Sequence, residues 1–430
     1  MWNIVAIIFG SFAALLLLGM PIAFAIGGAV VATIFNWDRL NLVMNFQQMY
    51  QGVDSFGLIA LPMFIWAGNL MSEGGIVSDL LKLCSVLLGR VRGALAHANI
   101  VGSMLFAGLS GSATADTAAI GGMLIPAMVK DGYDPDFSAA VTASSSVIGP
   151  IIPPSIGMVL YGSTIGLSVS ALFFGGMLPG ILLGVSLIIV SAIISKKRNY
   201  PKNTRKYTPK EISSAILNSF PAVLLMVIIL GGILGGLLTP TEASSVAVLY
   251  SILVGIFYYR AITFKTFIKT LADAVVTAGG VLAIVAISTP LGRIVAMAQI
   301  PALIGQAITT VTNSKIIFLL LFNIFMLIMG MIMESNVNLL IFAPILAPIA
   351  VSFGVNPIHF GVVFVLNVII GLATPPFGVC MFMAADIAKI SVERAAKAIL
   401  PFCLAEIAVL LIATYCEPVV TFIPKLFGLM

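Results

Sequence analysis

Residues 316–385 carry a single charged side chain, that of Glu334. At 1.5 Å per residue this run far exceeds one crossing of a roughly 30 Å hydrocarbon layer, so it must fold back on itself within an apolar solvent. Residues 1–37, 93–115, 137–195 and 212–241 carry no charge at all. With 9% of its 430 residues charged, against roughly 25% in soluble domains, the chain lacks the polar surface to cover itself in water. A soluble enzyme is excluded and an integral membrane protein is predicted. Within 1–37 the Leu18-Gly19-Met20-Pro21 break divides two spans. No basic stretch precedes the first, so a cleaved leader is not expected. The net charge of +5 is too small and too scattered to attract nucleic acid. Cys84, Cys380, Cys403 and Cys416 show no ligand spacing and read as packing residues.

The cations cluster between the apolar runs. They fall at Lys82, Arg90 and Arg92; at Lys130; at seven positions from Lys196 to Lys210; at Arg260, Lys265 and Lys269; and at Lys389, Arg394 and Lys397. Placing these loops in the cytoplasm satisfies the positive-inside bias and leaves Arg39, Lys315 and Lys425 outside, with Arg293 inside an apolar span. Both chain termini then fall outside. This topology requires two re-entrant hairpins, one entering from the cytoplasm at about 93–129 and one from the opposite side at about 315–352. Irregular backbone at membrane depth persists only where protein buries it or a watery cavity adjoins it, so paired hairpins point to a permeation site.

An internal repeat supports the same plan. A shift of 222 residues places Gly108 on Gly330, Pro126 on Pro348, Gly132 on Gly354, Pro135 on Pro357, Gly149 on Gly371 and Pro153-Pro154 on Pro375-Pro376. About one such Gly or Pro match is expected by chance over this stretch. In this register the basic loop at 82–92 faces a cation-free 304–314, and the basic 260–269 faces 38–47 with only Arg39. Opposite charge bias at equivalent loops predicts an inverted-topology repeat. The expected organisation is a first repeat at 1–195 with a broken helix at about 136–165, a cytoplasmic basic linker at 196–210, and a second repeat at 211–430 with a broken helix at about 358–385. The predicted fold is an all-α polytopic membrane protein whose repeats each hold a re-entrant helical hairpin and a Pro-broken helix.

The chemistry is expected at the hairpin tips. Ser110-Gly111-Ser112-Ala113-Thr114 and Glu334-Ser335-Asn336 are polar and small in an apolar context. Glycine frees the backbone from helical angles, and the released carbonyls with the Ser and Thr oxygens offer ligands suited to a hard cation such as Na⁺. Each hairpin is followed by an element, Gly149 to Ser155 or Gly371 to Gly378, in which paired prolines must break a helix and leave carbonyls unpaired. A cation between each tip and its break satisfies both, which makes Gly149, Ile152, Gly371 and Thr374 candidate ligands beside the tip residues Ser110, Ser112, Thr114, Glu334, Ser335 and Asn336. Two ions are the minimum expectation. The positive ends of the half-helices beginning at the breaks suit an anionic substrate, with Ser110, Gly111, Asp116, Pro154, Ser155, Pro376 and Gly378 as its candidate contacts.

Other readings compete. Asp116 and Glu334 either line the site or cap a hairpin helix. Arg293 is a substrate contact, a snorkelling residue or a domain-interface residue. Glu242 and Glu406 serve the site or local hydrogen bonding, and Gly231, Gly232, Gly235 and Gly236 read as helix packing. A proton-coupled carrier or a channel, with Asp116 or Glu334 taking the proton, is the alternative function. Gly108-Leu109-Ser110-Gly111 also matches the GxSG of rhomboid intramembrane serine proteases. Only His97 and His359 are present as bases, and neither spacing brings one clearly to Ser110.

Taken together, Gly19 to Phe24, Gly108 to Ala118, Gly149 to Ser155, Thr239-Pro240-Thr241-Glu242-Ala243, Glu334-Ser335-Asn336 and Ala373 to Pro376 resemble the large membrane subunit of tripartite ATP-independent periplasmic (TRAP) transporters, over nearly the whole chain. The resemblance implies no enzyme but a Na⁺-driven importer of organic acids such as C4-dicarboxylates, sialic acid, other sugar acids or keto acids, working by an elevator movement in a bacterial or archaeal inner membrane. It implies two partners, a small membrane subunit, expected as a separate polypeptide, and a periplasmic binding protein that delivers substrate. The hairpin and broken-helix plan is similar to that of divalent anion/sodium symporters. Placing Na⁺ on Ser110, Ser112, Thr114, Ser335, Asn336 and Thr374 rests on that parallel.

Overall fold

The computed structural model describes residues 2–37, 40–88, 91–202 and 208–430. Arg39, Arg90, Arg205 and Lys206, four cations of the charge argument, lie outside the described residues. Among the described residues every regular element is helical, and eight helices are long and apolar enough to cross a membrane. The first half runs α1 (Trp2–Leu17), α2 (Ile22–Asn36), α3 (Leu42–Val53), α4 (Ala60–Glu73), α5 (Ile76–Leu88), α6 (Ala94–Ser110), α7 (Ala113–Lys130), α8 (Pro135–Ser146), α9 (Ile156–Ile165) and α10 (Val169–Lys197). The second runs α11 (Pro209–Leu234), α12 (Pro240–Leu253), α13 (Phe264–Met297), α14 (Ile300–Val311), α15 (Lys315–Ile332), α16 (Ser335–Ser352), α17 (Pro357–Gly371), α18 (Val379–Ile387), α19 (Val392–Tyr415) and α20 (Glu417–Leu426).

The 222-residue shift carries over from glycines and prolines to helix bounds. It moves α7 onto residues 335–352, the bounds of α16, and α9 onto 378–387, within one residue of α18. The pair α3 and α4 maps onto the single long helix α13. The reason is local: Gly52, Asp54 and Ser55 stand where the second half has Ala274, Val276 and Thr277. Gly52 in place of Ala274 costs a helix interior about 1 kcal/mol, and the Asp54 and Ser55 side chains compete with the helix for backbone hydrogen bonds.

Two groups of helices form. In one, α4 packs on α12 and α13, α2 and α3 pack on α13, and α11 packs on α5 and α12. In the other, α8 and α17 run through the centre. Every residue of α8 from Phe137 to Ser146 is buried, as is every residue of α17 from Ile358 to Gly371. A helix covered on all sides must have neighbours all round. Hairpin α6–α7 packs on α8 and α18, and hairpin α15–α16 packs on α17 and α9. Each hairpin therefore touches the first half of its own broken helix and the second half of the other repeat's. This crossing brings both tips and both breaks to the middle of the group.

Polar caps place the helix starts. Thr208 and Glu211 form a capping box at α11, and Thr239 and Glu242 form another at α12. Glu242 thus serves local structure. The glycine cluster lies at the end of α11, where a Cβ on Gly231 or Gly236 would meet nothing within 4 Å. Gly235 and Gly236 end the helix and turn the chain, and neither Gly231 nor Gly236 packs against another helix.

Basic clusters from distant parts of the sequence meet at one end. Arg198 pairs with Asp134 at 2.9 Å and with Asp136 at 3.3 Å, and Arg394 approaches Asp136 at 3.8 Å. The Tyr200 hydroxyl donates to Asp134 Oδ2 at 2.7 Å, and its ring leans on Tyr133 and Phe137. The Tyr200 hydrogen bond holds the Asp134 carboxyl below the usual carboxylate range; partial burial opposes it and Arg198 reinforces it. A carboxylate lowered on folding stabilises the fold above its unfolded value of about 3.9 and loses that contribution as pH falls through the folded value. Asp134→Asn is expected to lower stability at pH 7 by roughly 0.5–1 kcal/mol, because the group is half exposed. The difference should shrink as pH falls from about 3.9 through the lowered folded value in thermal unfolding of the detergent-purified protein.

Candidate cation and substrate site at the hairpin tips

The first tip is made by three residues. Helix α6 ends at Ser110, and Gly111 turns the chain at φ +59 with its N–H donated to Ala107 O. Ser112 then caps α7, accepting from Ala115 N at 3.4 Å, and its Oγ lies 3.1 Å from Thr114 Oγ1. A Cβ on Gly111 would sit 2.7 Å from the Pro154 carbonyl oxygen. Only glycine permits both the turn and the approach to the break. Because that break separates α8 from α9, about 18 Å and 15 Å long by their rise, the tip lies at the middle depth of a broken span. The hairpin is re-entrant.

At the second tip Met333 is extended and Glu334 occupies the cap position of α16. Glu334 Oε1 accepts from Asn336 Nδ2 at 2.7 Å, while Asn338 Nδ2 donates to Met329 O at 3.1 Å and Met333 O at 3.0 Å and ties the turn together. At the first break Ser155 Oγ donates to Pro150 O and accepts from Met158 N at 3.2 Å, capping α9. At the second, Thr374 Oγ1 donates to Ile370 O at 2.8 Å, and Gly378 N to Thr374 O at 3.2 Å. Pro153-Pro154 and Pro375-Pro376 are both cis.

The two tips share one cavity of about 40 Å³, lined by Gly111, Ser112, Thr114, Pro150, Glu334, Ser335 and Asn336 with apolar neighbours that include Ile156 and Leu339. The sequence reading expects a pocket between each tip and its own break; here hydroxyls, an amide and one carboxylate from both repeats face a common space. One water needs about 10–15 Å³ of such volume, so the space is of the size of a few waters or small ions. The remaining candidates do not line it. Ser110, Gly149, Ile152, Pro154, Ser155, Gly371, Thr374 and Gly378 are buried in the surrounding backbone, and Pro376 is exposed elsewhere. Asp116 is fully buried in the first turn of α7, facing Ser103 and Ser146, and Glu406 is fully buried on α19, facing Ser144.

Sequence reasoning misses the polar connections that hold each hairpin to its central helix. Asn99 Nδ2 donates to Thr142 Oγ1 at 2.6 Å, Ser145 Oγ to Asn99 Oδ1 at 3.0 Å, and Ser103 Oγ to Ser145 Oγ at 3.1 Å. In the second repeat Asn367 Nδ2 donates to Asn323 Oδ1 at 2.9 Å, and Asn323 Nδ2 to Thr414 Oγ1 at 3.0 Å. Ser145 and Asn367 are equivalent under the 222-residue shift. Buried polar groups satisfied this way fix relative positions, and the sign was available in Asn99 and Ser103, four apart on one face of α6. Among the described residues the protease alternative finds no dyad: Ser110 Oγ accepts from Ser112 N at 3.5 Å, neither ring nitrogen of His97 has a hydrogen-bond partner, and His359 Nε2 is bonded to Ala413 O at 2.8 Å.

Residues 9–419 match the family model described as the tripartite ATP-independent periplasmic transporter, DctM component. The isethionate TRAP transporter permease protein DctMQ of Oleidesulfovibrio alaskensis is 39% identical over 97% of this chain and 66% of that longer protein. The sialic acid TRAP transporter large permease protein SiaM of Vibrio cholerae is 36% identical over 96% of each chain. Among solved structures, the YdaH transporter of Alcanivorax borkumensis aligns with a TM-score of 0.60 over 87% of this chain and 86% of its own, at 16% identity, and so shares the fold. The relatives are transporter permeases, not enzymes. Extended along most of its length by sequence and fold alike, the likeness shows that this chain, a multi-pass membrane protein, belongs to the DctM component family of tripartite ATP-independent periplasmic transporters.

Proposed function

We propose that this chain is the large membrane component of a Na⁺-coupled importer for a small organic acid in a bacterial or archaeal inner membrane. The observation that supports this most is the meeting of two repeat-related hairpin tips on one ion-sized, oxygen-lined cavity. Ser112 Oγ, Thr114 Oγ1, the Glu334 carboxylate and the Asn336 amide are hard oxygen donors suited to Na⁺, and among the described residues the cavity's lining includes no Lys, Arg or His to repel it. The Asp116 and Glu406 carboxyls, shut away from this cavity, serve the interior of the moving group.

The group around α8 and α17 acts as the transport domain, and the group around α4, α12 and α13 acts as the scaffold against which it slides. A small membrane subunit binds the scaffold, and a periplasmic binding protein presents the substrate. The relatives named for sialic acid and for isethionate share one feature, an acid group on a small polar solute, and that is the substrate class assigned here. Uptake into proteoliposomes containing the small subunit, with the binding protein outside, tests the reading. An inward Na⁺ gradient is expected to drive accumulation; uptake that ignores Na⁺ and follows a pH gradient would make this a proton-coupled carrier.

A further inference from the structure

A second cavity lies beside the first and is about ten times larger. Its volume is about 410 Å³, against about 40 Å³ at the tips, which places it in the range of roughly 300–1,000 Å³ usual for small organic ligands. One wall comes from the scaffold, with Ser55, Ser288, Thr289 and Arg293; the other comes from α9 and α16 of the transport domain, with Thr164 and Leu340. Leu339 faces the tip cavity and Leu340 the larger one, so the two spaces adjoin along α16. Thr164 stands eight residues beyond Ile156, or about 12 Å along α9 from the tip cavity. The larger space opens at the end of α13 remote from the basic loops.

Among the described residues Arg293 is the only charged side chain in its lining. Among the described residues it has no ion-pair partner. Its neighbour is neutral: the Gln48 amide, 6% exposed on α3, is assigned with its oxygen toward the guanidinium, where it accepts from Nε at 2.9 Å. A snorkelling arginine would reach for headgroups and need no such brace. A guanidinium carries five N–H donors, so one amide oxygen at Nε leaves others for a bidentate oxyanion.

We propose that Arg293, positioned by Gln48, binds the acid group of the solute in a scaffold-side vestibule from which it passes to the hairpin tips. This rests on the organic-acid reading above but not on Na⁺ coupling. The ligand chemistry is an oxyanion, carboxylate or sulfonate, on a solute whose hydroxyls meet Ser55, Ser288 and Thr289.

Charge-selective labelling tests it. In a Cys416→Ser background, which removes the one exposed cysteine, Thr164→Cys reports on the vestibule. An anionic sulfonatoethyl methanethiosulfonate should react faster than its cationic trimethylammonium analogue. Arg293→Gln should lower that ratio at least fivefold, and Arg293→Lys should largely restore it. Isethionate, succinate or N-acetylneuraminate should slow labelling at constant ionic strength, where chloride does not. In uptake assays Arg293→Gln should raise KM at least tenfold with the half-saturating Na⁺ concentration unchanged. A labelling ratio within twofold of the parent in Arg293→Gln, or no protection by any of the three anions, overturns the proposal. A charge-dependent ratio and anion protection in a protein whose uptake ignores Na⁺ would uphold the vestibule and reject the coupling.

Discussion

Gly371→Ala is expected to abolish uptake and to lower stability by about 3 kcal/mol, the upper end of what overpacking costs. A Cβ on Gly371 would stand 2.5 Å from the carbonyl carbon of Gly330 and 2.6 Å from its Cα. Those are main-chain atoms at the end of α15, so relief requires the second hairpin to separate from the central helix α17. Gly330→Ala meets the same obstacle from the other side, with its Cβ 2.8 Å from Val368 O. Gly108→Ala, at the repeat-related position, is the control. The three atoms nearest its Cβ all belong to the side chain of Met226 on α11, Cε first at 2.7 Å, and the end of a methionine can turn away. That variant should lose under about 1 kcal/mol. The contrast separates main-chain packing within the helix group around α8 and α17 from a soft contact across its boundary with α11. Thermal unfolding and uptake of the purified variants check it, and equal losses at 108 and 330 would contradict it.

Glu334→Gln is expected to raise the Na⁺ concentration for half-maximal uptake at least tenfold, equivalent to about 1.4 kcal/mol of ion binding. Among the described residues Glu334 is the only acid that lines the tip cavity, and Asn336 holds its carboxylate. Glutamine keeps the size and one oxygen and removes the charge. Thr114→Ala and Asn336→Ala each withdraw one neutral donor and should shift the same concentration by roughly threefold, in the range of a single net hydrogen-bond-like interaction. Na⁺ titrations of uptake read all three. A lower maximal rate with unchanged Na⁺ dependence in every variant would show that the tips shape the protein without holding the ion.

Much of this architecture is legible in the chain because Gly and Pro mark where a membrane helix must end. Gly111 and the Pro153-Pro154 and Pro375-Pro376 pairs name the tip and the breaks directly, and the 222-residue register extends to helices with no glycine or proline match of their own. The polar tip residues stand out because an apolar solvent leaves little other reason for Ser112, Thr114, Glu334 and Asn336 to lie together. Their convergence is not legible. It follows from α9 packing on α16 and α18 on α7, a tertiary crossing that no local pattern encodes. Glu242 illustrates a signal that favours structure: Thr239 and Glu242 are spaced as a capping box, and the box outweighs a site role. Arg293 shows the reverse, since nothing near it in sequence announces Gln48, which reaches it from α3.

Equilibrium binding of ²²Na⁺ to the purified chain, without substrate or partner, tests the central claim most directly. Saturable binding is expected that K⁺ and choline do not displace, weakened at least tenfold by Glu334→Gln and lost when Thr114→Ala and Asn336→Ala are added. Absence of saturable binding, or binding that the triple variant retains at wild-type strength, would contradict the account.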